Sequence, residues 1–211
     1  MPRAAESASA KESRSAAELG ADIPLFPLNT VLFPGGPLPL RIFEPRYVDM
    51  VRYCMRASAP FGVVLIRVGA ESSAVSSTAE VGTSARIVDF DQMPDGLLGL
   101  SCVGERRFRV TKRWVQSDGL NMGKVEWAPA EIETPLPSQY AHLGQLLRKV
   151  LPELGDIYQS VPKHFDDAGW VSARLAEILP INLGEKQLCL ELDDPVERLA
   201  RLSPFIRRAE E

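Results

Sequence analysis

The sequence predicts an α+β fold, with strands and one inserted helix first and a helical segment last. Three observations predict it. Between residues 23 and 132 the apolar residues fall in short runs rich in Val, Ile, Leu and Phe, divided by turns that contain Pro and Gly. Within that region, residues 45–57 switch to three-to-four spacing. Beyond Thr134 the pattern turns helical. Strands followed by segregated helices indicate α+β rather than a parallel α/β sheet.

Taken in order, residues 23–28 are apolar but carry Pro24 and Pro27, which donate no N–H, so they read as an edge strand at most. Residues 33–37 (Phe-Pro-Gly-Gly-Pro) form a turn, and residues 38–43 a second short strand. The inserted helix starts at Pro45, whose missing N–H costs nothing in a first turn, and buries Tyr47, Val48, Val51, Cys54 and Met55; Pro60 ends the segment. Residues 61–68 are nearly continuous Val, Leu and Ile, hence a buried strand. A Ser/Ala/Gly-rich loop covers 69–79, a strand 80–91, and Met93-Pro-Asp-Gly a hairpin. Two strands, 97–103 and 106–115, are expected on either side of a bulge or tight turn at Gly104, and a last strand over 123–132. Pro135 and Pro137 make a stiff connector. Helices are expected over 138–151, over 166–179 with Asp166 or Asp167 as N-cap, over about 184–191, and from Asp194 and Pro195 until Pro204 ends or kinks the last one. The organisation predicted is a disordered tail over 1–21, a strand domain over 22–134 and a helical subdomain over 135–211.

With 45% hydrophobic and 25% charged residues the 211-residue chain has the composition of a globular protein, and a net charge of −4 disfavours general affinity for nucleic acid or anionic membrane. The three cysteines (Cys54, Cys102, Cys189) lie far apart among apolar neighbours, as buried free thiols do, which places the expectation in a reducing cytoplasm. The first 20 residues hold no apolar run for a secretory signal, and Glu6, Glu12 and Glu18 speak against a transit peptide. No stretch approaches the roughly 18 apolar residues of a membrane span.

The sequence announces no catalytic centre. It contains no GxxxxGK[ST], no GxGxxG and no GxSxG. His142 and His164, the only histidines, sit outside any metal-ligand spacing, so neither metal nor cofactor is expected. Asp193-Asp194 near Glu191 is explained as a helix cap. The strongest charge cluster is residues 106–113. In a strand, Arg107, Arg109, Thr111 and Arg113 share one face, which suits RNA phosphates or, as the structural alternative, acidic neighbours such as Glu80 or Asp89.

Residues 23–35 (Ile-Pro-Leu-Phe-Pro-Leu-Asn-Thr-Val-Leu-Phe-Pro-Gly), 38–47 (Leu-Pro-Leu-Arg-Ile-Phe-Glu-Pro-Arg-Tyr), Asp95-Gly, 103–110 (Val-Gly-Glu-Arg-Arg-Phe-Arg-Val) and 185–195 together resemble the Lon N-terminal domain family, including stand-alone Lon-type proteins and the Lon-like domain of cereblon. The likeness covers about residues 22–208. It implies a PUA-like β-barrel of short antiparallel strands followed by a C-terminal helical bundle. It also implies a part that engages substrates and helps assemble oligomers, and that lacks the ATPase and Ser-Lys protease domains of Lon. The expected function is therefore non-catalytic binding of unfolded, client or partner polypeptides without ATP, with homo-oligomerisation left open. Phe26, Phe33, Phe43 and Tyr47 are the candidate contact residues wherever they are exposed. The alternatives are an RNA-binding protein using Arg107, Arg109 and Arg113, and an enzyme with an unrecognised site.

Overall fold

Among the described residues, seven strands and one helix precede the helical third. The computed structural model describes residues 21–68, 77–159 and 161–210, with side chains to Ile206. The expected tail lies outside them except for Ala21, as does most of the 69–79 loop. The strands are β1 (Ala21–Leu28), β2 (Pro37–Ile42), β3 (Phe61–Val68), β4 (Ser77–Thr78), β5 (Val81–Gln92), β6 (Leu98–Val115) and β7 (Asn121–Trp127), with helix α1 (Pro45–Ala57) between β2 and β3. The helical third holds α2 (Ala141–Val150), α3 (Ala168–Ile178), α4 (Leu183–Glu191) and α5 (Pro195–Glu210). The whole is a largely antiparallel sheet with several helices.

Pairings run from β1 to β7, β6, β5 and β3 and then back to β1, so the ladder returns to its start. The β1–β3 pair is parallel and the others are antiparallel. β2 lies along residues 98–103 of β6. The expectation of an edge strand for residues 23–28 is corrected here: residues 21–24 pair with β7 and residues 25–28 with β3. The strand changes partner midway, so each of Pro24 and Pro27 faces a ladder on one side only, and a missing N–H is tolerated there.

Residues 98–115 form one 18-residue strand rather than two. Its register with β5 slips between Thr83 and Ala85 and again between Ile87 and Asp89, which bends it without ending it. Gly104 marks a close approach: its N–H donates to the Gly36 carbonyl (2.9 Å), and its carbonyl accepts from the Gly35 N–H (2.7 Å). A Cβ there would overlap the Phe33 carbonyl oxygen. The last strand stops at Trp127 instead of 132, although Ala128 N–H still reaches the Arg107 carbonyl (2.9 Å).

Side-chain caps start the last three helices, with Asp167 and Asp194 as the sequence suggests and Asn182 in addition. Asp167 accepts from Trp170 N–H (2.6 Å), Asn182 from Glu185 N–H (2.9 Å) and Asp194 from Val196 N–H (2.8 Å). Pro204 does not end α5, which continues to Glu210. The donor it removes would have served the carbonyl of exposed Ala200, which water can reach, while Leu202 and Ile206 stay in the core.

One apolar cluster lies under α1, where Tyr47, Met50, Val51 and Cys54 meet Phe26, Phe61 and Leu100. Burial of each large side chain contributes about 1.5–3 kcal/mol. A second joins the helices to the sheet through Val31, Phe33, Leu65 and Val81. Polar ties cross the same boundary: Gln187 donates to the Val81 carbonyl (3.0 Å) and Arg107 to the Leu190 and Leu192 carbonyls (3.0 Å each). Among the described residues no helix is long and apolar enough to cross a membrane.

All three cysteines are free and buried. Burial pushes the Cys54 thiol up to about 11 and Cys102 up to about 12, the latter also through its neighbour Cys54. Both are therefore neutral thiols at pH 8, and the thiolate is the reacting form. Ellman's reagent is expected to leave the native protein unlabelled over an hour at pH 8 and to label all three thiols at once in denaturant. Fast labelling of one thiol in the native state would show that its burial is transient.

Candidate functional site

An apolar groove of about 610 Å³ runs between the end of β1 and the outer side of β2. Its sides are residues 26–30, residues 37–44, Tyr47 and, from the far side of the chain, Ile157. The prolines explain its shape. Pro37 and Pro39 stiffen β2, which has β6 on one side and the groove on the other, and Pro45 starts α1 just after Phe43 and Glu44.

Phe26 and Tyr47 form the floor. Their rings meet edge to face at 4.1 Å, and Phe61 backs Phe26 at 6.0 Å. Phe43 stands on the rim, 61% exposed. Charges around the rim are paired: Glu44 with Arg46 at 2.7 Å, and Arg41 with Asp95. Arg46 also lies over the Tyr47 ring (4.8 Å) and donates to the Gly119 carbonyl (3.0 Å). Such a surface is suited to burying apolar side chains of a ligand, since it presents a hydrophobic floor and no isolated charge.

The structure separates the four expected contact residues. Phe26, Phe43 and Tyr47 meet in the groove, whereas Phe33 is 0% exposed and packs against the helical third. Its place in the motif is explained by the core, so it is not available to a ligand.

The basic strand is likewise divided. Arg107 is 7% exposed and turns inward, donating to two carbonyls of the α4 end and pairing with Asp193 at 2.8 Å. Arg109 pairs with Glu80 (2.9 Å), and Arg113 donates to the Ala79 carbonyl (2.7 Å). The three guanidinium groups do not share an exposed strip, because the helical third covers the first of them.

Two features escaped sequence reasoning. Ile157 lies in a 3₁₀ turn (Asp156–Tyr158) within a polar connector that has no apolar period. Beside it, buried Arg174 of α3 pairs with Glu177 (2.7 Å), and the Tyr158 hydroxyl donates to the same carboxylate (3.1 Å). Burial pushes the Glu177 carboxyl up, against the opposing pull of Arg174. Among the described residues no group of three or more His, Cys, Asp and Glu side chains could hold a metal ion.

The fold is that of Lon N-terminal domains. A crystal structure of a Lon N-terminal domain protein from Xanthomonas campestris superposes with a TM-score of 0.73 at 38% identity, covering 87% of this chain and 98% of that one. The N-terminal domain of a Mycobacterium avium complex Lon protease shares the fold at TM-score 0.62 and 18% identity, over 88% of this chain and 97% of that one. The family model for the ATP-dependent protease La (LON) substrate-binding domain matches residues 22–208, and the chain belongs to that family. It is 27% identical over 191 residues to the Lon protease of Cytophaga hutchinsonii, which covers 86% of this chain and 23% of that protein. It is 32% identical over 115 residues to cereblon of Danio rerio, covering 53% and 26%. The chain thus spans about a quarter of the length of the curated relatives it matches.

Proposed function

We propose that this chain is a non-catalytic module that binds unfolded or partner polypeptides in the groove between β1 and β2, without ATP hydrolysis or proteolysis. The observation that carries the reading is exposed Phe43 above the apolar floor of Phe26 and Tyr47. An aromatic rim over a preformed apolar groove is the arrangement in which a few side chains dominate binding. Membership of a substrate-binding domain family supports the same reading. In it, residues 22–134 act as a PUA-like barrel, consistent with the ladder that returns to β1, residues 135–211 act as the helical subdomain, and residues 1–21 as a tail. Buried free thiols accord with a cytoplasmic protein. The inward turn of Arg107 and the pairing of Arg109 weigh against nucleic acid as ligand.

The test uses fluorescein-labelled, reduced and carboxymethylated α-lactalbumin as the unfolded polypeptide. Phe43→Ser is expected to weaken its binding about tenfold or more, with the urea unfolding midpoint unchanged because Phe43 is a surface residue. ATP is expected to leave affinity unchanged, and casein to remain intact. Equal affinity of the variant and the wild type would remove the groove from the account. Nuclease-sensitive recovery of RNA from extract would favour the nucleic-acid reading instead.

A further inference from the structure

We propose that one buried carboxylate, that of Glu177, holds both walls of the groove, and that Tyr158 is the positioning residue through which the helical third sets the groove's width. This rests on the reading of the groove as a polypeptide site.

The two carboxylate oxygens face different walls. Oε1 accepts from Arg174 Nη2 (2.7 Å), and the same Nη2 donates to the Pro34 carbonyl (2.9 Å). Pro34 opens the turn that leads directly into β2, the first wall. Gly36 in that turn lies so close to Oε1 that a Cβ would overlap it. The turn is shaped to seat against the carboxylate, with Gly35 at φ +70°. Oε2 accepts from the Tyr158 hydroxyl (3.1 Å), and the residue before Tyr158 is Ile157, the second wall.

The second wall has the construction of a hinged strap. Gly155 precedes its turn at φ +80°, and a Cβ there would meet nothing within 4 Å. Lys163 Nζ gathers the far end, donating to the carbonyls of Tyr158, Gln159 (3.3 Å) and Val161 (2.5 Å). From below, Lys186 Nζ donates to the Glu177 backbone carbonyl (2.6 Å), which ties the site to α4. Glu177 itself is on α3, eight of whose eleven residues are buried, so the carboxylate is a fixed post. Arg174 Nε and Nη1 are buried without hydrogen-bond partners, and among the described residues Glu177 is the carboxylate paired with that guanidinium.

Tyr158→Phe removes the hydroxyl and keeps the ring, so the fold is retained. Hydrogen exchange on the ligand-free protein is expected to speed up about tenfold at residues 156–158 and also across 38–42, because both walls share the carboxylate. The interior of α3 is expected not to change; a merely structural role for Tyr158 would accelerate α3 as well. Affinity for the labelled α-lactalbumin is expected to fall about three- to tenfold, the loss of one hydrogen bond. Ile157→Ala is expected to do the same, and the double variant to be no weaker than either single one, since both changes abolish one wall. Unchanged affinity in Tyr158→Phe alongside weakened binding in Phe43→Ser overturns this inference and leaves the binding reading standing. Absence of binding by the wild type overturns the reading, and the exchange pattern then decides the positioning role by itself.

Discussion

Replacing Arg198 by alanine is expected to lower the unfolding free energy by roughly 3–5 kcal/mol, the cost of breaking a buried ionic network from one side. Arg198 is 1% exposed on α5 and serves four acceptors on three segments. Its Nε donates to the Cys189 carbonyl (2.9 Å), Nη1 to the Ser172 hydroxyl (3.2 Å), and Nη2 to the Leu192 carbonyl (2.9 Å) and to Glu131. Cys189 and Leu192 sit at the C-terminal end of α4, where carbonyls have no partner within the helix. Alanine would leave those carbonyls unsatisfied, Glu131 without its cation, and a cavity in the helical core. Arg198→Lys is expected to recover little, because a single ammonium cannot reach acceptors spread over three directions. The urea midpoint checks both variants. A loss below 1 kcal/mol for Arg198→Ala would show that water replaces the guanidinium at small cost.

Gly104→Ala is expected to cost about 2–3 kcal/mol, at the upper end for overpacking. The new methyl would overlap the Phe33 carbonyl oxygen and approach Leu32 Cγ at 3.1 Å. Backbone atoms cannot rotate away as a side chain can. The 33–36 turn would therefore shift as a unit, and with it the paired hydrogen bonds between Gly104 and residues 35 and 36. Thermal unfolding reads the loss. A variant as stable as the wild type would mean that the turn is free to recede, which would also undo its role as the seat of β2.

That glycine shows how far the sequence could be read. Gly104 stands out in an apolar run, and a bulge or turn is the local explanation. The actual reason is a non-local one, the 33–36 turn pressed against the strand, so one 18-residue strand reads as two. Pro24, Pro27 and Pro204 mislead in a related way. Each signals a break through the hydrogen bond it deletes, but β1 changes partner between the two prolines, and α5 loses its bond at an exposed carbonyl. By contrast the bounds of α1 are legible, because Pro45 and the three-to-four spacing act within one helix, although Met55 turns outward and Met50 takes the buried place expected of it. The groove divides along the same line. Phe26, Phe43 and Tyr47 belong to one contiguous motif and could be named in advance. Phe33 belongs to that motif too, yet its environment comes from helices more than a hundred residues later. Ile157, Tyr158 and Glu177 carry no signal, since a polar connector and an i,i+3 Arg–Glu pair on a helix look like ordinary surface.

The change of partner within β1 also sets an order of events during translation. Residues 25–28 can zip onto β3 as soon as residues 62–65 have left the ribosome. Residues 21–24 must wait for β7, which is made only after β5 and β6. Through that interval the leading half of β1 is a half-closed zipper with an open flank, and sheet closure is a late, long-range step of the kind that slows folding. A nascent chain stalled before residue 121 would therefore hold the parallel half of the strand and lack the antiparallel half, making β7 the segment whose arrival locks the sheet.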